Sequence, residues 1–264
     1  MLPPIAAEPI FHLGNFVVTN SLLNGWISVT VIVLAVLALS RKREIVPRGF
    51  QNFAEWLLET MLTFADQVTG DRKTTEKFFP LVATIFIFVL LNNWLGLIPG
   101  TGSIGIWEIH EGKTELIPLL RPASSDLNLT LAIAAFSVLM THIFGIMAIG
   151  AFKHASKFIN IAGIIHALKK GPMAILVAII QFGVGLIELV GEVAKTLSLS
   201  LRLFGNVFAG EVLLTVMAGL LAYALPLPFI FLEILVGLIQ AMVFSILVLA
   251  FASVASMDPH GEEN

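Results

Sequence analysis

The run Leu197-Ser198-Leu199-Ser200-Leu201-Arg202-Leu203-Phe204-Gly205-Asn206-Val207-Phe208-Ala209-Gly210-Glu211 decides how the chain is read. It sets an arginine inside a long apolar region. An arginine at the bilayer centre costs about 2.5–3.5 kcal/mol on insertion scales, so a charge at that depth is a functional residue by default and calls for a partner. At about 100° per residue, Glu188, Glu192, Lys195, Leu199, Arg202 and Asn206 follow one another in steps of 4, 3, 4, 3 and 4. They form one polar stripe roughly 27 Å long, at about 1.5 Å per residue. Glu211 stands nine residues beyond Arg202, about half a turn round the helix. The bland alternative is an arginine buried against Glu192 or Glu211 to fix helix packing.

Composition places this stretch in a membrane. Of 264 residues, 57% are hydrophobic and only 12% charged, with a mean hydropathy of +0.94. Soluble domains carry about 25% charged residues. The net charge of −3 says less than where the charges sit. With no cysteine, disulfides and thiolate chemistry are excluded. No metal-ligand spacing, phosphate-binding glycine loop, nucleophile triad or internal repeat is present, and no cofactor or metal is expected. The first apolar run lacks a basic n-region and a small-residue cleavage pattern, so it reads as a retained span.

Working outward, residues 16–40 are expected to span, ending at Arg41-Lys42-Arg43. By the positive-inside rule that cluster is cytoplasmic and the N-terminus outside. Over 48–69, Phe50, Phe53, Ala54, Leu57, Met61, Phe64 and Val68 share one face, opposite Asn52, Glu55, Glu59, Thr63 and Asp66. This pattern predicts an amphipathic helix at the inner membrane surface or against a neighbouring subunit. Residues 70–73 read as a turn. The second span is expected over 78–98, with Asn92 and Asn93 as interhelical hydrogen-bonding groups.

Residues 99–126 read as an outer loop. Asp126 opens the third span, 127–150, as a helix cap or as a polar group at an outer path. His142 reads first as a hydrogen-bonded packing residue and second as a proton relay. Lys153, Lys157, Lys169 and Lys170 place residues 151–171 inside. Residues 172–223 then run apolar for about 50 residues where about 20 suffice. They hold either two spans with an unmarked turn or one strongly tilted helix, and the polar stripe resists a turn at its centre. Gly183, Gly185, Gly191, Gly205 and Gly210 would admit close neighbours. Pro226 and Pro228 mark a hairpin into the last span, 229–256, where Glu233 and Gln240 share one face. The C-terminus then lies inside. The expected architecture is one membrane domain over 1–264, an all-α polytopic membrane protein. It has five transmembrane helices, one amphipathic interfacial helix and two long C-terminal helices forming a hairpin.

Ser200-Leu201-Arg202-Leu203-Phe204-Gly205-Asn206, followed by Ala209-Gly210-Glu211, resembles the signature of subunit a of F-type ATP synthases. Asn93-Trp94-Leu95-Gly96-Leu97-Ile98-Pro99 is similar to a second run of that family. The resemblance implies a non-catalytic, proton-translocating stator subunit of the bacterial inner membrane. It implies one long tilted helix over the fourth span. Its partners would be a rotor ring of small hairpin subunits, a peripheral-stalk subunit, lipid and protons, with no nucleic acid. It maps the essential arginine onto Arg202 and channel positions onto Asn206, Glu211, Glu188, Gln240 and Glu233. The outer path would use Glu211, Glu233 and Asp126, and the inner path Glu188 and Glu192. Enteric-type relatives pair a glutamate at the Glu211 position with a histidine at the Glu233 position. Here both are glutamates, and two such carboxylates close together share a proton. A proton- or sodium-coupled secondary transporter also sets charges at mid-membrane, but the chain shows no repeat and no broken-helix pair.

Overall fold

The computed structural model describes residue 4 and residues 6–41, 44–98, 104–110, 113–158, 171–221 and 226–257. The order is β1 (Pro9–Leu13), β2 (Phe16–Thr19), α1 (Asn20–Arg41), α2 (Phe50–Thr69), α3 (Arg72–Leu95), β3 (Gly105–His110), β4 (Lys113–Pro118), a 3-10 turn (Ala123–Ser125), α4 (Leu127–Ile149), α5 (Ala151–Phe158), α6 (Pro172–Leu220) and α7 (Pro226–Ser256). Five helices, α1, α3, α4, α6 and α7, are long and apolar enough to cross a membrane. The chain is an all-α, multi-pass membrane protein.

The fourth apolar region is one helix of 49 residues, which removes the two-span alternative. Asn206 bonds Gln240, and Gly210 lies against Glu233, so α6 and α7 run antiparallel as a hairpin. The hairpin's tip, residues 222–225, lies outside the described residues. Pro226 begins α7; its missing N–H costs nothing in a first turn, where that donor has no helical partner.

Several boundaries move for local reasons. The first span starts at Asn20 because residues 16–19 pair with β1 across a tight turn. Gly14 there takes φ +64°, a value that favours glycine. The second span starts at Arg72. Asp71 is its N-cap, accepting from the Thr74 N–H at 3.1 Å, which satisfies a donor that the first turn leaves orphaned. Arg72 and Lys73 are therefore helical, and the turn narrows to the left-handed Gly70. The loop before α4 holds the antiparallel hairpin β3–β4, and the basic loop after α4 begins with the short helix α5.

Packing is that of a membrane bundle. Phe86 and Val89 of α3, Ala134 and Val138 of α4, Leu199 and Leu203 of α6 and Phe244 and Val248 of α7 form one buried core. α1 buries Asn20, Ser21, Asn24, Gly25 and Ser28 and leaves Val33, Leu34, Val36 and Leu37 exposed. Lipid accepts the apolar face, while small and polar residues let backbones approach. The two asparagines act in that way. Ser28 Oγ donates to Asn92 Oδ1 at 3.1 Å, and Asn93 Nδ2 donates to the Gly237 carbonyl at 3.2 Å.

Candidate functional site

The α6 helix carries the polar stripe, and the structure separates its members by partner. Arg202 is exposed on α6 and forms no hydrogen bond or ion pair among the described residues. The packing alternative therefore does not hold: both acids it named are engaged elsewhere. Glu192 lies 2.6 Å from Lys195 Nζ and 3.5 Å from His142 Nε2. Glu211 is held by Arg121. Glu188 is exposed and also has no partner among the described residues. A cation with its nearest acids already paired offers its charge outward, beyond this chain.

Toward the N-terminal end of the bundle the polar groups converge. Arg121 is 2% exposed. Its Nε donates to both Glu211 oxygens at 2.9 and 3.1 Å, and one terminal nitrogen donates to Oε2 at 3.1 Å. Its remaining donors reach the Ala6 carbonyl at 3.1 Å and the Pro4 carbonyl at 2.7 Å. The planar guanidinium suits this because its donors form a rigid fork. Asp126, five residues on, caps α4 by accepting from the Asn128 N–H at 2.9 Å. Its other oxygen accepts from Ser21 Oγ at 2.8 Å. The same residue thus serves as cap and as part of this polar cluster.

Glu233 approaches from α7. Its carboxylate fills the space where Gly210 lacks a side chain, next to Glu211 in sequence. One turn deeper, Asn206 Nδ2 donates to Gln240 Oε1 at 2.7 Å, and Gln240 is 4% exposed. The expected pair of carboxylates is thus asymmetric. The guanidinium engages both oxygens of Glu211, whereas Glu233 rests against a glycine. Sequence reasoning missed Arg121, which reads as one more loop charge; 90 residues separate it from its partner. The only available signal was its closeness to Asp126.

Of the five glycines expected to admit neighbours, two do so. A methyl at Gly185 would strike the Phe158 backbone, and one at Gly210 would strike Glu233. Gly183, Gly191 and Gly205 face open space. Gly191 and Gly205 lie within about 60° of Arg202 on the helix wheel. Arg202 thus shares its side of the helix with Gly205, one turn away, and Gly191, about three turns away, where an added methyl would meet nothing within 4 Å among the described residues.

Comparison with known proteins gives the family. The sequence model of the family described as ATP synthase A chain matches residues 22–253. The chain belongs to that family. Its relatives include proteins named ATP synthase subunit a. One, from Moorella thermoacetica, is 31% identical over 92% of this chain and 93% of its own. Another, from Syntrophobacter fumaroxidans, is 31% identical over 97% and 92%. A third, from Campylobacter jejuni, is 32% identical over 90% and 89%. Within the ATP synthase A chain family match fall Arg202, Glu211, Glu233, Asn206, Gln240, Glu188, Glu192 and Asp126, together with Arg121.

Proposed function

We propose that this chain is the proton-conducting stator subunit of an F-type ATP synthase in a bacterial inner membrane. In this reading it presents Arg202 to the carboxylates of a rotor ring, between two offset half-channels. The observation that carries the reading is the exposed Arg202, unpartnered among the described residues, with the bare Gly205 one turn along. A fixed cation favours the ionised form of a passing carboxylate. Arginine suits the post because it effectively never loses its proton. It also bars protons from passing directly between the two paths.

With the N-terminus outside and the C-terminus inside, Glu211, Glu233 and Asp126 belong to the outer path. Asn206 and Gln240 lie between that path and Arg202, and Glu188 and Glu192 belong to the inner one. The bidentate grip of Arg121 on Glu211 supports Glu233 as the freer proton carrier of the outer pair. A peripheral stalk would hold the subunit against the torque of the ring. Labelling of a cysteine placed at His12 only from the cytoplasmic side would overturn this orientation, and the reaction is clean because the chain has no cysteine of its own.

The test compares Arg202→Ala with Arg202→Lys in inverted vesicles carrying the assembled complex. The alanine variant is expected to lose ATP-driven acidification yet leak protons passively, because the barrier between the paths has gone. The lysine variant is expected to fail in coupled pumping, since a desolvated lysine loses its proton. Near-normal pumping with lysine would refute the role.

A further inference from the structure

A second cluster of titratable groups sits at the opposite end of the bundle from Arg121. His142 of α4 brings its Nε2 to 3.5 Å from Glu192 Oε2. Its Nδ1 lies 3.1 Å from Nε2 of His154, on α5. His154 is 5% exposed, and its own Nδ1 is buried with no hydrogen-bond partner. Two consecutive helices, α4 and α5, and the more distant α6 therefore build one line of four ring nitrogens and a carboxylate oxygen, which ends on the polar stripe below Arg202.

The seat is shaped for the second ring. A methyl at Gly145 would strike Cε1 and Nδ1 of His154, so the glycine makes the space the imidazole fills. Phe158 packs edge-on against both rings, with centroids at 5.7 and 5.8 Å. Lys195 holds the other oxygen of Glu192 at 2.6 Å, and Lys157 reaches past the cluster to the carbonyls of Ala255 and Met257. Among the described residues no group of three such side chains is arranged to hold a metal ion.

Resting on the reading of the chain as a proton-conducting stator, we propose that His154 and His142 relay protons between the inner surface and Glu192. A proton accepted at His154 Nδ1 releases the one on Nε2 to His142 Nδ1. His142 then releases the proton on its Nε2 to the Glu192 carboxylate. Each ring gains one proton and loses one, so no charge is left behind, and the reverse sequence carries protons out. Imidazole is the side chain for this exchange because its two nitrogens accept and donate near neutral pH. Burial pushes the His154 imidazole below its ordinary value, helped by His142 and Lys157, while Glu192 pulls it the other way. A ring that is neutral between transfers is what a relay needs, whereas a permanently charged one would trap the proton. The buried Nδ1 is the one ring nitrogen of the pair not already engaged within the line, so it is the end to which a path from the inner surface would have to open.

The test uses vesicles carrying the assembled complex, with passive proton conductance measured per complex. His142→Gln and His154→Gln keep a polar group at each site but cannot carry a proton through. Conductance is expected to fall about 10-fold, less than the roughly 100-fold a lost proton-transfer group costs in catalysis, because water offers a parallel route. In His142→Ala, added imidazole should restore conductance while pyrazole, of the same shape but far less basic, should not. Equal rescue by both azoles would reduce the cluster to packing. So would parent-like conductance in the glutamine variants, with His142→Gln deciding alone if buried His154→Gln fails to assemble. Failure of the stator reading is seen separately, as near-normal pumping in Arg202→Lys whatever the histidines do.

Discussion

Arg121 is the residue whose loss the structure prices most directly. It is 2% exposed, and its contact with Glu211, whose side chain is 19% exposed, measures 2.9 Å. At that distance and an effective dielectric of about 20, two unit charges attract by about 6 kcal/mol before desolvation is subtracted. Removing one member of a buried pair costs about 3–5 kcal/mol, because the other charge stays behind unpaired. Glu211 retains some solvent, so Arg121→Gln is expected near the lower end, about 3 kcal/mol. Glu211→Gln leaves the arginine bound to the Pro4 and Ala6 carbonyls and should cost less. The double variant removes both charges, and its loss should fall short of the sum by at least about 2 kcal/mol. The assay is a double-mutant cycle of unfolding in mixed micelles, followed by helical circular dichroism. Additivity within about 0.5 kcal/mol would refute a coupled pair.

Two further outcomes follow from named positions. Gly205→Ala meets nothing within 4 Å in this chain, and alanine is the better helix former by about 1 kcal/mol. The fold should be unharmed while ATP-driven pumping falls several-fold; parent-like pumping would show that no rotor passes that face. The Asp71 carboxyl is held below the ordinary aspartate value by the Thr74 hydroxyl and then the Thr74 backbone N–H. A carboxyl lowered in the folded state stabilises above its unfolded value and loses that contribution as pH falls through the folded one. Parent and Asp71→Ala should therefore differ in thermal midpoint at neutral pH, begin to approach one another as pH falls below about 3.8, and converge once it is below the lowered folded-state value. A gap that persists there would assign the difference to helix geometry instead.

Hydropathy and periodicity carried most of the architecture. α2 was readable from two opposed sets of residues over 48–69, because an amphipathic helix writes its exposure into the sequence. The single helix of α6 was readable only as one of two options: apolar length alone does not distinguish a tilted rod from two spans. The hairpin β1–β2 had a local signal in Gly14-Asn15 between β-formers, overshadowed by the apolar run that follows. The site divides similarly. Arg202 and its stripe are spaced on one helix and so are legible. Arg121 with Glu211 meets only through tertiary folding, and no spacing records a contact across 90 residues; His142 and His154 are 12 residues apart, but the sharp turn at Gly150 that folds α5 back onto α4 carried no strong sequence signal.

The length of α6 has a geometric consequence. Its 49 residues measure about 74 Å, whereas a bilayer with its headgroups is about 40–45 Å thick. Keeping that apolar rod within the membrane would lean it at least about 53° from the normal. Glu188 and Glu211 then differ by roughly 21 Å in depth but also by roughly 27 Å sideways. One rigid element thus acts as a ramp that converts depth into lateral travel. Under the proposed stator reading, an ion entering beside one glutamate would have to be carried around an arc before leaving beside the other, and the tilt of a single helix would set that arc.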